Sequence, residues 1–132
     1  MMARSQIHDD GFISAFVVSL TMTFIVCAGL AIDGGRVVAA RLKVADTAEN
    51  AARAGAQALT DLRTGVPRID AQQAVRLSQL YLRSVQTQGR IEANRVEVCV
   101  TVSATEQMTL LRLAGVDTRT LTATRCAQPV VG

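Results

Sequence analysis

Residues 12–32 are an uninterrupted run of 21 residues without a charged side chain. A helix rises about 1.5 Å per residue, so this run would span roughly 30 Å, the thickness of a bilayer's hydrocarbon core. A cleaved signal peptide is the alternative, because a small-x-small pattern occurs at residues 29–31. The run exceeds the roughly 7–15 apolar residues of such peptides, which favours a retained anchor. We therefore predict a tail over 1–11, a transmembrane helix over 12–32 and a domain over 33–132.

An Ala-rich helix is predicted directly after the anchor, over residues 36–63. Gly34 and Gly35 predict a flexible point or a kink before it, because glycine weakens a helix by roughly 1 kcal/mol relative to alanine. The apolar side chains recur every three or four positions, and most are small, which allows another helix to approach closely. This stripe could pack against the chain's own second helix and sheet or against other subunits, and the sequence leaves both alternatives open. The stripe comprises Val38, Leu42, Ala45, Ala48, Ala52, Ala56 and Leu59.

The second half of the chain predicts a further helix and a small sheet. A helix begins at Asp70 in capping-box fashion and continues to about Gln88. Residues 95–102 and 118–127 alternate between apolar and polar side chains, as half-buried strands do, and a short helix is predicted between them at 106–113. The predicted fold class is α+β, with a transmembrane helix that continues into the Ala-rich helix, a second helix, and a small β-sheet with a short intervening helix.

Two cysteines lie on the polar faces of the two predicted strands. If these strands are neighbours, Cys99 and Cys126 point to the same side of the sheet, and a disulfide is sterically feasible. Two unpaired surface thiols are the alternative. We favour the bridge, because a small domain without an aromatic core gains stability from one. Disulfides persist outside the cytoplasm, so the bridge also favours an external domain.

Charge and residue chemistry restrict the function. Residues 34–132 contain 13 Lys and Arg and 8 Asp and Glu, a net charge of +5. The charges are scattered, and Tyr81 is the only aromatic residue there, so no nucleic-acid partner is expected. The single histidine, His8, lies in the tail, which excludes a His-dependent triad or a two-His zinc site in the domain. We predict no catalytic residue, no metal, no cofactor and no enzymatic activity.

The end of the apolar run carries a recognisable pattern. The sequence DGGR is followed by AARLKVADTAENAARAGAQAL, and this arrangement resembles the TadE/TadG-like proteins of tight-adherence, or Flp-type, pilus systems. Asp33, Gly35 and Arg36 match the family's Asp-x-Gly-Arg turn, and Ala45 and Asp46 match its Ala-Asp pair. The later strand, the Leu-Ala-Gly-Val sequence at 113–116 and the Thr/Ala strand resemble actinobacterial members.

The resemblance implies a minor pilin-like or pilus-assembly subunit in the cell membrane. Such a protein crosses the membrane once, has an extracytoplasmic C-terminal domain, and associates with pilus or secretion machinery, with self-association through the Ala-rich helix as a further option. An anchored or secreted cell-envelope binding module is the alternative function. From the residues alone, Asp33 and Arg36 are interpreted either as an interfacial stop signal or as a contact with an assembly partner.

Two observations complicate the resemblance. Counted naively, Arg36, Arg41 and Lys43 would place the domain in the cytoplasm, whereas the cysteines and the family pattern place it outside. Gly11 is a candidate processing site, but the position five residues later, which holds Glu in prepilin-peptidase substrates, is Phe16. An uncleaved assembly factor therefore fits better than a bulk fibre subunit.

Overall fold

The computed structural model describes residues 10–60, 63 and 65–129, with side chains from Phe12 onward. Most of the predicted tail lies outside the described residues, and processing at Gly11 stays a prediction. The α+β class is confirmed, with a long first helix, a second helix and small antiparallel sheets. The elements in chain order are α1 (Asp10–Ala56), β1 (Leu59–Thr60), β2 (Arg68–Ile69), α2 (Ala71–Ser84), β3 (Gly89–Ala93), β4 (Val98–Gln107), a 3-10 helix (Leu111–Ala114) and β5 (Thr118–Ala127).

The first helix is continuous over 47 residues and passes through Gly34 and Gly35 without a break. Two glycines cost only about 2 kcal/mol in a helix, which the hydrogen-bonded turns on both sides can offset. A flexible point or kink there stays a prediction. The predicted end at residue 63 is wrong, because α1 ends at Ala56. There the chain turns away: the Ala58 N–H donates to Gly55, and the Ala58 carbonyl accepts the N–H of Asp70.

Polar side chains within the apolar part of α1 are satisfied by the helix itself. The hydroxyls of Ser19, Thr21 and Thr23 each donate to the backbone carbonyl four residues earlier, at 2.8 Å. The large apolar side chains around them are exposed, from Phe12 to Ile32. The helix is long and apolar enough to cross a membrane. Internal hydroxyl bonds suit such a segment, because hydrocarbon offers no replacement partner.

The domain covers one face of α1, and this face differs partly from the predicted stripe. Ala48, Ala52 and Ala56 are buried as expected, but Val38 and Leu42 are 59% and 60% exposed. The buried positions recur every three or four residues on a neighbouring face, because the small side chains there allow the sheet and α2 to approach. They are Gly29, Asp33, Ala40, Val44, Ala48, Ala51, Ala52, Gly55 and Ala56.

Close contact between α1 and α2 depends on Gly55 of α1. A Cβ atom at that position would lie 2.3 Å from the Ser78 Oγ and 3.0 Å from a methyl group of Val98. The buried Ser78 hydroxyl donates to the carbonyl of Ala51 at 2.9 Å, so its polar oxygen has a partner in the core. At the N-terminus of α2, the Asp70 carboxylate accepts the N–H groups of residues 72 and 73, and this confirms the predicted helix start.

Three antiparallel strands form the main sheet in the order β3–β4–β5. Val98, Val100 and Val102 of β4 are fully or almost fully buried in the core formed with α1 and α2. The strand predicted over 95–102 is displaced to Val98–Gln107, and β3 was not predicted. Likewise, α2 ends at Ser84, not at about residue 88, and a two-stranded ladder joins β1 to β2.

The polar face of the β4–β5 pair carries the disulfide. Cys99 and Cys126 are directly opposite in the ladder, and their sulfur atoms are bonded at 2.05 Å, which confirms the predicted bridge. Hydroxyl pairs continue this row along the two strands and link side chains that face each other. These pairs are Thr101 with Thr124, Ser103 with Thr122, and Thr105 with Thr120.

Candidate functional site: the junction of the long helix and the β4–β5 loop

The carboxylate of Asp33 holds the loop that joins β4 to β5. Asp33 is completely buried, and its two oxygens accept the backbone N–H groups of Thr109, Leu110 and Leu111 at 3.2, 2.8 and 2.8 Å. These amides precede or begin the 3-10 helix, where no backbone carbonyl is available to them. A side chain of α1 therefore caps a turn that lies more than seventy positions later in the chain.

Arg36, which follows Asp33 in the Asp-x-Gly-Arg pattern, contacts the same loop. The Arg36 guanidinium donates to the hydroxyl of Thr109 at 2.5 Å. Asp33 and Arg36 lie three positions apart on adjacent helical turns, so their side chains reach the loop side by side. Asp33 and Arg36 therefore both have hydrogen-bond partners within their own chain. The sequence suggested an interfacial stop signal or a contact with an assembly partner, and neither interpretation included this contact with the loop.

The hydrogen bonds lower the pKa of Asp33. The N–H of Leu111 makes the largest contribution to holding the pKa below its usual 3.8, whereas burial acts in the opposite direction. The N–H groups of Leu110 and Thr109 and the positive charge of Arg36 lower the pKa further. The carboxyl group is therefore an anion at neutral pH, which is the form that accepts all three hydrogen bonds.

The loop also packs against the apolar segment of α1. Leu110 lies over Gly29, where an added Cβ would come within 3.0 Å of its Cδ1 atom. Below this contact, a groove of about 300 Å³ separates the helix from the tip of the loop. The groove is lined by Ile25, Val26, Gly29 and Leu30 of the helix and by Leu110, Leu111, Leu113 and Ala114 of the loop.

The other motif residues lie elsewhere on α1. Asp46 is exposed, Ala45 is half-buried, and a Cβ atom at Gly35 would meet no atom within 4 Å. These residues are not brought together with the Asp33 cluster. Gly35 lies on the part of α1 that the domain leaves open, together with the exposed Val38 and Leu42.

One group of potential metal ligands occurs among the residues that the structure describes. Ligand atoms of Glu97, Cys99 and Cys126 lie within 4.8 Å of one another. Both sulfur atoms belong to the disulfide, so neither is available as the thiolate that a metal requires. The geometry does not make this group a metal centre.

Comparison with known protein families finds a match in the N-terminal part of the chain. Residues 11–58 match the family model "Putative Flp pilus-assembly TadE/G-like", which confirms the resemblance seen in the sequence. The match comprises nearly all of α1, including Asp33 and Arg36. No curated protein and no solved structure matched the chain. Membership of the actinobacterial type stays a prediction.

Proposed function

We propose that the protein is a single-pass, membrane-anchored, minor pilin-like or pilus-assembly subunit that acts by association with other proteins of a tight-adherence pilus or related secretion system. The observation that carries the proposal is the coincidence of the family match with α1. That helix combines a segment able to cross a membrane with a face that the described part of the chain leaves uncovered. The Flp pilus-assembly domain supports a structural role and gives no support for catalysis.

The proposed association surface is the open face of α1 above the membrane segment, formed by Gly34, Gly35, Val38 and Leu42. Val38 and Leu42 are 59% and 60% exposed, and neither glycine has a neighbour within reach of an added Cβ. Glycines beside branched apolar side chains let a second helix approach closely while burying apolar area. This surface continues directly from the anchor, so a partner helix in the membrane would follow it outward. The partner is pilus machinery or a second copy.

We further propose that the domain after residue 32 lies outside the cytoplasm. The disulfide supports this orientation, because cytosolic thiols are kept reduced. The family pattern supports it as well, since the implied topology has a cytoplasmic N-terminus. The positive residues Arg36, Arg41 and Lys43 count against it.

Complementation of a deletion strain tests the function with two matched substitutions. Leu42→Asp places a charge on the proposed association surface, and Leu80→Asp places the same charge on the outer face of α2. Leu42 and Leu80 are both 60% exposed, so loss of burial within the chain is equal for the two variants. We expect deletion to abolish surface pili, Leu80→Asp to restore them, and Leu42→Asp to fail at normal protein levels.

Two results would contradict the proposal. Normal piliation in the deletion strain would remove the pilus role altogether. Equal restoration by both variants would remove the open face of α1 as the association surface. The alternative function, an anchored cell-envelope binding module, predicts that the protein is retained on purified cell wall in a salt-sensitive manner, whether or not pili are present.

A further inference from the structure

We propose that the β4–β5 loop, residues 110–116, is a second membrane contact that inserts into the lipid leaflet beside α1. The inference rests on the proposed membrane anchor at residues 12–32. If residues 12–32 cross the membrane, the contacts of the loop with this helix determine where the loop lies. Leu110 packs on Gly29, and Leu113 and Ala114 line the same groove as Ile25 and Val26.

The depth of the loop follows from the helical rise. Gly29 lies four residues below Asp33, or about 6 Å along the axis, and Ile25 lies eight residues below it, or about 12 Å. Both positions are inside the uncharged segment. A bilayer that covers residues 12–32 therefore also surrounds the tip of the loop, unless another protein excludes the lipid. The depth resembles the ~5–10 Å to which interfacial helices bury their apolar faces.

The side chains of the loop suit lipid better than water. Leu113 is 88% exposed and Val116 is 42% exposed, and Leu110 is also partly open. Between residues 110 and 116 the only charged side chain is Arg112, which is exposed and lies 3.5 Å from Asp117. A long arginine side chain can keep its guanidinium among the headgroups while its stem lies in apolar surroundings.

Most backbone N–H groups of the loop have hydrogen-bond partners within the protein and do not depend on water. Asp33 accepts the N–H groups of residues 109, 110 and 111. Those of Leu113, Gly115 and Val116 donate to carbonyls within the loop, and that of Met108 donates to Asp117. Hydrocarbon offers no partner to an unpaired N–H or C=O group, so a loop at this depth needs such internal hydrogen bonds. This requirement also accounts for a buried carboxylate at the point where α1 leaves the apolar segment.

Depth measurement on the full chain tests the inference. A nitroxide spin label is attached to Leu113→Cys, Phe24→Cys or Leu80→Cys in a Cys27→Ser background, without reductant, so that the disulfide stays closed. Each protein is reconstituted in vesicles of phosphatidylcholine and phosphatidylglycerol. Collision rates are then measured with oxygen, which concentrates in lipid, and with a water-soluble nickel complex. Leu113, Phe24 and Leu80 are 88%, 67% and 60% exposed, so the label disturbs little packing.

The three positions separate failure of the loop from failure of the anchor. We expect the ratio of oxygen to nickel collisions to be several-fold higher at Leu113→Cys than at Leu80→Cys, and close to the ratio at Phe24→Cys. A water-exposed label at position 113 with a lipid-exposed label at position 24 would overturn the loop inference and leave the anchor intact. Shielding of position 113 from both reagents would overturn it in favour of a protein contact. A water-exposed label at position 24 would refute the anchor and the proposed function together.

Discussion

The Asp33 carboxylate accepts the backbone N–H of Leu111 at 2.8 Å, although the two residues are 78 positions apart in the chain. This bond links the end of the apolar segment of α1 to the turn between the two longest strands. Because Leu110 packs on Gly29 next to it, the same junction combines a buried anion with an apolar contact. Asp33 therefore fixes the β4–β5 loop at the end of the apolar segment, while the core residues of α1 hold the sheet itself.

Substitution of Asp33 by asparagine should release the loop. Asparagine has one acceptor oxygen for three N–H donors, and its amide N–H₂ would face them. We expect faster hydrogen exchange at residues 109–111 and a lower melting temperature at pH 7 in detergent micelles. The control is Asp46→Asn, since Asp46 is exposed on the same helix and should leave both measurements unchanged.

The same carboxylate should give the stability a defined dependence on pH. The pKa of Asp33 is lowered from 3.8 on folding, so the ionised group stabilises the fold fully above that value. The contribution is lost as the pH falls below 3.8 through the lower pKa of the folded state. Melting temperatures measured from pH 5 to pH 2 should therefore fall less steeply for Asp33→Asn than for the natural protein. Parallel curves would show that the carboxylate contributes nothing.

The features that the sequence predicted well are those that depend on local pattern. The uncharged run, the cap at Asp70 and the limits of β5 all follow from residues that are neighbours in the chain or on one strand. The cysteine pairing needed one further premise, that the two alternating segments form neighbouring strands. The contact of Asp33 with the loop has no such local signal. One indication was present, because Asp33 continues the spacing of Gly29, Ala40, Val44 and Ala48 along one face of α1.

The stripe read from the sequence left open which of its turns pack on the chain itself, and the structure leaves Val38 and Leu42 exposed for a physical reason. Val38 and Leu42 are more hydrophobic than Ala40, so hydropathy alone selects the stripe that contains them. The buried face is the one with small side chains, because these let the sheet and α2 pack closely on α1. β3 was missed because its sequence, GRIEA, has little alternation, and it becomes a strand only through pairing with β4.

Gly55 should be the glycine of α1 that tolerates alanine least within the packed domain. A Cβ there would lie 2.3 Å from the Ser78 Oγ, so we expect Gly55→Ala to lower the free energy of unfolding by about 1–3 kcal/mol. Gly34→Ala is the matched control, because its Cβ would meet nothing within 4 Å, and it should gain up to about 1 kcal/mol of helix stability. Urea unfolding followed by circular dichroism measures both.

A double variant shows whether the clash is the cause. Ser78→Ala removes the oxygen nearest to the added methyl group, although it also removes the hydrogen bond to Ala51. The loss in the double variant Gly55→Ala/Ser78→Ala should therefore be smaller than the sum of the two single losses. Additive losses would mean that the side chain of Ser78 does not limit the approach of the helices.

Opening the disulfide should weaken the sheet considerably. Cys99 and Cys126 are 27 positions apart, and the chain-entropy model assigns roughly 3–4 kcal/mol to a loop of that length. We expect Cys99→Ser/Cys126→Ser to lower the free energy of unfolding by about that amount, while Cys27→Ser has no effect, since Cys27 is exposed and free. A loss under about 1 kcal/mol would show that the valine core and the hydroxyl pairs suffice.

The orientation of the domain is testable through the same bridge. In a Cys27→Ser background, intact cells are treated with a membrane-impermeant maleimide before and after an impermeant reductant. An external domain predicts no labelling before reduction and labelling afterwards, because the exposed Cys126 becomes a free thiol. A Leu80→Cys variant adds an exposed thiol on α2 that should react without reduction, so it reports the side of the membrane independently of the bridge. If both variants react only after lysis, the domain lies in the cytoplasm, and the positive residues after the anchor predict the topology better than the disulfide does.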